Sequence, residues 1–338
     1  MQSQAKGFTY VKVPYNYIAY YEDGKWNEGQ LRTDDTVTIS AMSTALHYGQ
    51  QAFEGLKAYR RKDGRINLFR VKDNALRFQL SCDFLKMPRI PVEMFVKAVE
   101  DTVLANHEYV PPYGSNATLY IRPFIIGIGD NLGLRPANSY IFSVIVSPVS
   151  SYFSGPARPV DMVTSPYDRA APHGTGHVKV GGNYAASLKA QVEAKAVGYA
   201  DTIFLDPKTH TKIEEVGAAN FFGITKKQEY VTPTSPSILD SITNRSLKQL
   251  AKEALKLTVL ETDIHLADLN QLDEAAACGT AAVVTPIGSI THEGVKMQFP
   301  HHEEMGPITL KLYQLLTGIQ MGDLEDVYEW TTTLDPLK

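Results

Sequence analysis

Two runs of β-forming residues, ATLYIRPFIIGIG (117–129) and SYIFSVIVSP (139–148), constrain the fold of this chain more than any other feature. Both read as strands, and the second is apolar enough to be buried. Earlier, WNEGQL to VTIS reads as strand, turn and strand, and GLKAYRRKDGRINLFR as a hairpin turning at Asp63-Gly64. Between these stretches, VKDNALRFQLSCDFLKM and VEMFVKAVEDTVLANH carry helical spacing. Strands in runs with helices between them predict an α+β arrangement.

Beyond Pro148 the composition changes. VSSYFSGPARP is rich in Ser, Gly and Pro, which marks a connection between domains. A chain of 338 residues is long for one domain. The expected division is a smaller N-terminal domain at 1–147, a loop at 148–158 and a larger C-terminal domain at 159–338. The later part offers strands at VDMVTSP, ADTIFLD and TKIEEV, then FFGITKKQEYVTP, a helix at ITNRSLKQLAKEALKL, and a strand at TVLETDI. It closes with EAAACGTAAVVTPIGSI, which reads as strand, tight turn and strand.

A formal net charge of only -4 argues against a nucleic-acid or membrane-surface binder, which needs a concentrated basic face. No apolar run is long enough to span a bilayer. The N-terminus has neither the apolar core of a signal peptide nor the arginine-rich form of a transit peptide, so a cytoplasmic enzyme is expected. Cys82 and Cys278 form no CxxC and imply neither a disulfide framework nor a zinc ribbon.

Within HVKVGGNYAASLKAQVEAKAVGYADTIFLD (177–206), Val178-Lys179-Val180 reads as a short β segment ahead of a helix from Tyr184 to Val197. Leu188 and Val192 form the expected apolar face of that helix, and Gly198 its stop. Gly181 and Gly182 would let backbone approach closely. Lys179 is either an edge-strand surface lysine or a partly buried amine with a depressed pKa. Two other motifs carry less. GIGDNLG (127–133) has the wrong spacing for a dinucleotide fingerprint and no βαβ unit. HHEE (301–304) would make a poor set of metal ligands, and no metal is expected.

A phosphate-bearing aldehyde cofactor needs an amine, a carboxylate opposite its pyridine nitrogen, and several phosphate donors. Lys179 can be the amine and Glu215, in IEEVGAANFF, the carboxylate. The amides of Ile242 and Thr243 open a helix for which Thr243 is a candidate N-cap. The Gly279-Thr280 turn is a second amide nest and Arg77 a side-chain clamp. Taken singly, Glu215 also reads as a solvated strand residue and Arg77 as a helix-surface arginine.

Taken together, LHYGQQAFEGLKAY, LFRVKDNALRF, YIRPFI, KVGGNYAASL, EVGAANFF, SITNRS and CGTAAVVTPIG occur here in the order found in a known family. The chain resembles the fold-type IV pyridoxal-phosphate enzymes, and within them the branched-chain amino acid aminotransferases. That resemblance implies a two-domain fold whose larger, cofactor-binding domain is built on a barrel-like sheet. It implies Lys179 as the Schiff-base lysine, Glu215 at the pyridine nitrogen and Tyr184 on the cofactor's 3-oxygen. Arg77, Ile242, Thr243 and Thr280 would hold the phosphate, with Gly279 in the same turn. Phe53, Tyr120, Arg122, Tyr152, Thr280 and Ala281 would line the substrate pocket, with Tyr48 and Gly55 nearby and Val149 as apolar wall. A homodimer is implied, its partner subunit completing the pocket. Some members carry a redox CxxC after the Gly-Thr-Ala turn; the matching positions here are Ala282 and Thr285. A D-amino acid aminotransferase, an aminodeoxychorismate lyase and a non-catalytic homologue are the rival readings.

Overall fold

The computed structural model describes residues 7–150 and 158–336. Tyr152 and residues 151–157 of the expected connector lie outside the described residues. Contacts separate the chain into two units, one made of 7–150, 178–181 and 318–336, the other of 158–177 and 182–317. A boundary at 148–158 predicts a single crossing. The chain instead returns to the first unit twice, once with the segment that carries Lys179.

The first unit holds β1 (Asn16–Glu22), β2 (Lys25–Trp26), β3 (Gln30–Arg32), β4 (Gln51–Phe53), β5 (Leu56–Arg60), β6 (Ile66–Phe69), β7 (Thr118–Ile128) and β8 (Ser139–Val149), with the late strand Thr331–Leu334. These make one antiparallel sheet in the order Thr331–Leu334, β6, β5, β7, β8, β1, β2, with β3 on β1 and β4 on β7. The two runs that dominate the sequence pair along their whole length, from Thr118 opposite Val149 to Ile128 opposite Ser139. After the short helix α1 (Thr44–His47), helices α2 (Val71–Phe84) and α3 (Val92–Ala105) contribute Phe78 and Phe95 to the core. Each ring lies 6.0 Å from that of Phe142 on β8. Burial of side chains this size contributes roughly 1.5–3 kcal/mol each.

The expected strand at VTIS does not form. The Asp34 carboxylate accepts from the Thr36 amide at 2.9 Å and from its hydroxyl at 2.8 Å, a local turn that competes with strand pairing. Both β2 and β3 pair with β1 instead. Likewise Val178-Lys179-Val180 is no strand but one bridge, Val180 to Ala52.

The second unit holds β9 (Val160–Thr164), β10 (Asp201–Leu205), β11 (Ile213–Val216), β12 (Ala219–Thr225), β13 (Tyr230–Thr232), β14 (Val259–Glu261), β15 (Leu272–Gly279), β16 (Val283–His292) and β17 (Val295–Gln298). The order β11, β10, β9, β16, β15, β12 closes on itself because β12 also pairs with β11, giving a six-stranded barrel. Closure removes the sheet edges. Met162, Ile203, Phe221, Ala277 and Ile287 belong to its core.

Three more helices are α4 (Gly181–Ala196), α5 (Ile242–Glu253) and α6 (Pro307–Met321). The expected apolar face of α4 is reversed. It buries Asn183, Ser187, Ala190 and Ala194, whereas Leu188 and Val192 are 59% and 64% exposed. Small residues let the helix backbone pack closely, and this outweighs burial of two larger side chains. Among the described residues no helix is long and apolar enough to cross a membrane.

Candidate active site

In the first unit, α2 anchors two groups from residues one turn apart. Ser81 Oγ accepts from the Lys179 amide at 3.0 Å. Arg77 donates through Nε and Nη2 to the two oxygens of Glu54, both at 2.8 Å. A spacing of four puts both side chains on one helix face. The Lys179 carbonyl accepts from the Phe53 amide at 3.1 Å, so the lysine is stitched to β4 and α2 together. Its Nζ lies 4.8 Å from the centre of the Phe53 ring.

Lys179 is half-buried. Desolvation, reinforced by the positive charge of Arg77, pulls its pKa down to about 8, while Glu54 and Tyr120 oppose the shift. That is the environment of a usable amine, not of an edge-strand surface lysine. Gly181 belongs to this crowding, since a Cβ there would lie 2.8 Å from Gln51 Nε2; Gly182 faces open space.

Beside the lysine, the Arg122 guanidinium stacks between Phe53 and Tyr120, 4.6 and 5.1 Å from the ring centres. Its Nη2 donates to the Tyr120 hydroxyl at 3.0 Å. Its Nε is buried without a hydrogen-bond partner among the described residues. Such a group fits an anion. Gly55 makes room for this arrangement, because a Cβ there would lie 2.3 Å from Tyr120 Oη. Tyr48 is 42% exposed, with its hydroxyl donating to the Leu132 carbonyl. Val149 is buried at the end of β8, opposite Thr118.

In the second unit, Glu215 is buried. Its Oε1 accepts from the Leu239 amide at 2.7 Å and from Asn220 Nδ2 at 3.4 Å. Its Oε2 lies 3.2 Å from Arg169 Nε, an ion pair without hydrogen-bond alignment. Arg169 is itself held by the carbonyls of Ser237 and Gly176. Glu215 thus faces a backbone amide, a side-chain amide and a guanidinium, a setting that suits a carboxylate.

Helix α5 opens at Ile242 and Thr243, but its N-cap is Ser241, whose hydroxyl accepts from the Asn244 amide at 3.2 Å. Thr243 is therefore inside the first turn and not the cap; its amide and that of Ile242 belong to the helix's open end, a ready anion site. The turn from Gly279 through Thr280 and Ala281 joins β15 to β16 and ends on Val283, whose φ of +55° is costly for a β-branched residue. Strain of this kind clusters at ligand sites. Tyr184 is half-buried in the first turn of α4.

The donor chemistry of each unit suits a phosphate-bearing aldehyde: a neutralisable amine at Lys179 in the first, a charge-paired carboxylate at Glu215 and a helix N-terminus at Ile242 in the second. The model of the family described as amino-transferase class IV matches residues 51–290. The chain belongs to the class IV amino-transferases. Among this family's curated members it is 55% identical to a branched-chain-amino-acid aminotransferase of Haemophilus influenzae, covering 97% of each chain. It is 51% identical to one of Helicobacter pylori, covering 96% of this chain and 95% of that one. Among solved class IV structures, the Escherichia coli branched-chain amino acid aminotransferase superposes with a TM-score of 0.80 at 28% identity, over 94% of this chain and 98% of that one. The branched-chain aminotransferase of Thermoproteus uzoniensis, solved with norvaline, gives 0.76 at 26% identity over 94% and 99%.

Sequence reasoning missed Glu54, Ser81, Arg169, Asn220 and Asn244. Glu54 carried a signal: an acid between Phe53 and Gly55, in the link between two strands, needs a partner if it is buried. Arg169 lies in a polar loop and carried none.

Proposed function

We propose that the chain transfers the amino group of Leu, Ile or Val to 2-oxoglutarate, reversibly and by a ping-pong sequence, using pyridoxal 5'-phosphate. When bound, that cofactor supplies the aldehyde that carries the amino group and the ring that takes up the electron pair. The observation that carries the reading is the placing of Lys179, its pKa held near 8, against the Phe53, Tyr120 and Arg122 cluster. The branched-chain names of the relatives support the same substrate class.

In this reading Lys179 Nζ holds the cofactor at rest, then moves a proton from the substrate's Cα. Glu215 keeps the ring nitrogen protonated, with Arg169 stabilising the carboxylate. Ile242, Thr243, Thr280 and Arg77 hold the phosphate, and Tyr184 the 3-oxygen. Phe53, Tyr152 and Val149 receive the branched side chain, Arg122 the distal carboxylate of glutamate, and Tyr120 with the amides at Thr280 and Ala281 the shared α-carboxylate.

A cytoplasmic homodimer belongs to the same reading. The exposed Leu76, Leu80 and Phe84, four apart along α2, support burial of that helix face by a second subunit. The experiment is a substrate panel of L-Leu, L-Ile, L-Val, D-Ala and chorismate-derived amine donors with 2-oxoglutarate. Turnover of the first three supports the assignment; turnover confined to D-Ala or the chorismate-derived donors overturns it.

A further inference from the structure

Two asparagines behind Glu215 have no part in the chemistry above, yet both are buried. On β12, Asn220 lies in register with Glu215 on β11 and with Cys278 on β15, one residue before the Gly279 turn. Register partners point their side chains to the same face. Asn220 Nδ2 donates to Glu215 Oε1 at 3.4 Å and to the Leu239 carbonyl at 3.1 Å. Its Oδ1 accepts from Asn244 Nδ2 at a long 3.5 Å.

Asn244 stands in the first turn of α5. Its Nδ2 also donates to Thr232 Oγ1 at 2.9 Å, and its Oδ1 accepts from the Tyr230 hydroxyl at 2.6 Å. Tyr230 is fixed in turn, its ring stacked on Phe222 at 4.9 Å. Buried amides are costly unless satisfied, and satisfied networks rigidify what they join. This one joins the carboxylate at Glu215 to the N-terminus of α5.

We infer that Asn220 and Asn244 are positioning residues that set the spacing between the ring-nitrogen carboxylate and the phosphate-binding helix end. The inference rests on the proposed roles of Glu215, Ile242 and Thr243. A rigid cofactor touched at both ends must meet both anchors at once, and an error on the order of 1 Å at one end wastes the contact at the other. A ligand that touches only the helix end is indifferent to the spacing.

The test titrates the cofactor-free full chain with pyridoxal phosphate and, separately, with inorganic phosphate. Asn220→Ala and Asn244→Ala should each weaken pyridoxal phosphate about tenfold and change inorganic phosphate less than twofold. The double variant should lose no more than the worse single variant, since both break one link. Unchanged pyridoxal phosphate affinity, additive losses, or equal loss of both probes, including loss through unfolding, would overturn the inference. A native chain that binds inorganic phosphate but not pyridoxal phosphate would overturn the cofactor-site reading as well, and so tells the two failures apart.

Discussion

Glu54 and Arg77 meet through two hydrogen bonds of 2.8 Å at a place where Glu54 has no solvent exposure. A buried ion pair contributes little net stability, but removing one partner strands the other's charge. Glu54→Gln should therefore cost about 3–5 kcal/mol, measured by urea unfolding, and Glu54→Gln/Arg77→Met should recover part of it. If the single variant is as stable as the native chain, the pair is not the anchor described.

The same pair acts on Lys179 with opposite signs, Arg77 lowering its pKa and Glu54 raising it. Because the folded value, about 8, lies below the ordinary 10.5, the unfolded chain binds more protons between those pH values. The contribution of Lys179 to stability should therefore rise with pH across that window, whereas Cys82 and Cys278, whose thiols burial pushes up, act in the opposite direction. Lys57, buried and likewise held at about 8 by desolvation, contributes in the same direction as Lys179. The difference between the native chain and Lys179→Met isolates one residue: the stability of the native chain relative to the variant should increase between pH 8 and 10.5. Identical slopes would mean that Lys179 is not desolvated.

Gly55→Ala puts a methyl 2.3 Å from Tyr120 Oη and so forces that ring, and Arg122 with it, to shift. KM for leucine and glutamate should both rise, with cofactor binding unchanged. Unaltered KM values would show that Tyr120 does not shape the substrate site.

Arg122→Leu keeps apolar contact with Phe53 and removes the cation. A charge-assisted hydrogen bond contributes roughly 1.5–3 kcal/mol, or about ten- to hundredfold in affinity. Single-turnover rates with glutamate should fall by about that factor relative to those with leucine. Equal losses would assign Arg122 to the α-carboxylate both substrates share.

Much of this was legible in the sequence, and the reasons differ by element. The β7–β8 pair was clear because long β-branched runs leave few alternatives, and the β5–β6 hairpin because Asp63-Gly64 marks its turn. The motifs around Lys179 and Glu215 carried the chemistry. What was hidden depended on partners distant in the chain. Arg169 finds Glu215 across a loop, and α4 turns its small residues inward although Leu188 and Val192 have the stronger apolar pattern. Local rules favoured VTIS as a strand until the Asp34 turn intervened, and Ser241 took the cap that Thr243 could also have served.

The central claim is that Lys179 is the amine that holds the cofactor. Lys57 supplies the control, since both lysines have their pKa values pulled to about 8 and either could react on basicity alone. The measurement is borohydride reduction of the chain with pyridoxal phosphate bound, followed by proteolysis and mass spectrometry of the labelled peptide. The phosphopyridoxyl group should be found on Lys179 alone, and Lys179→Ala should bind the cofactor without retaining it after reduction. Label on Lys57 or spread over surface lysines, or an unlabelled chain that still turns over leucine, would contradict the account.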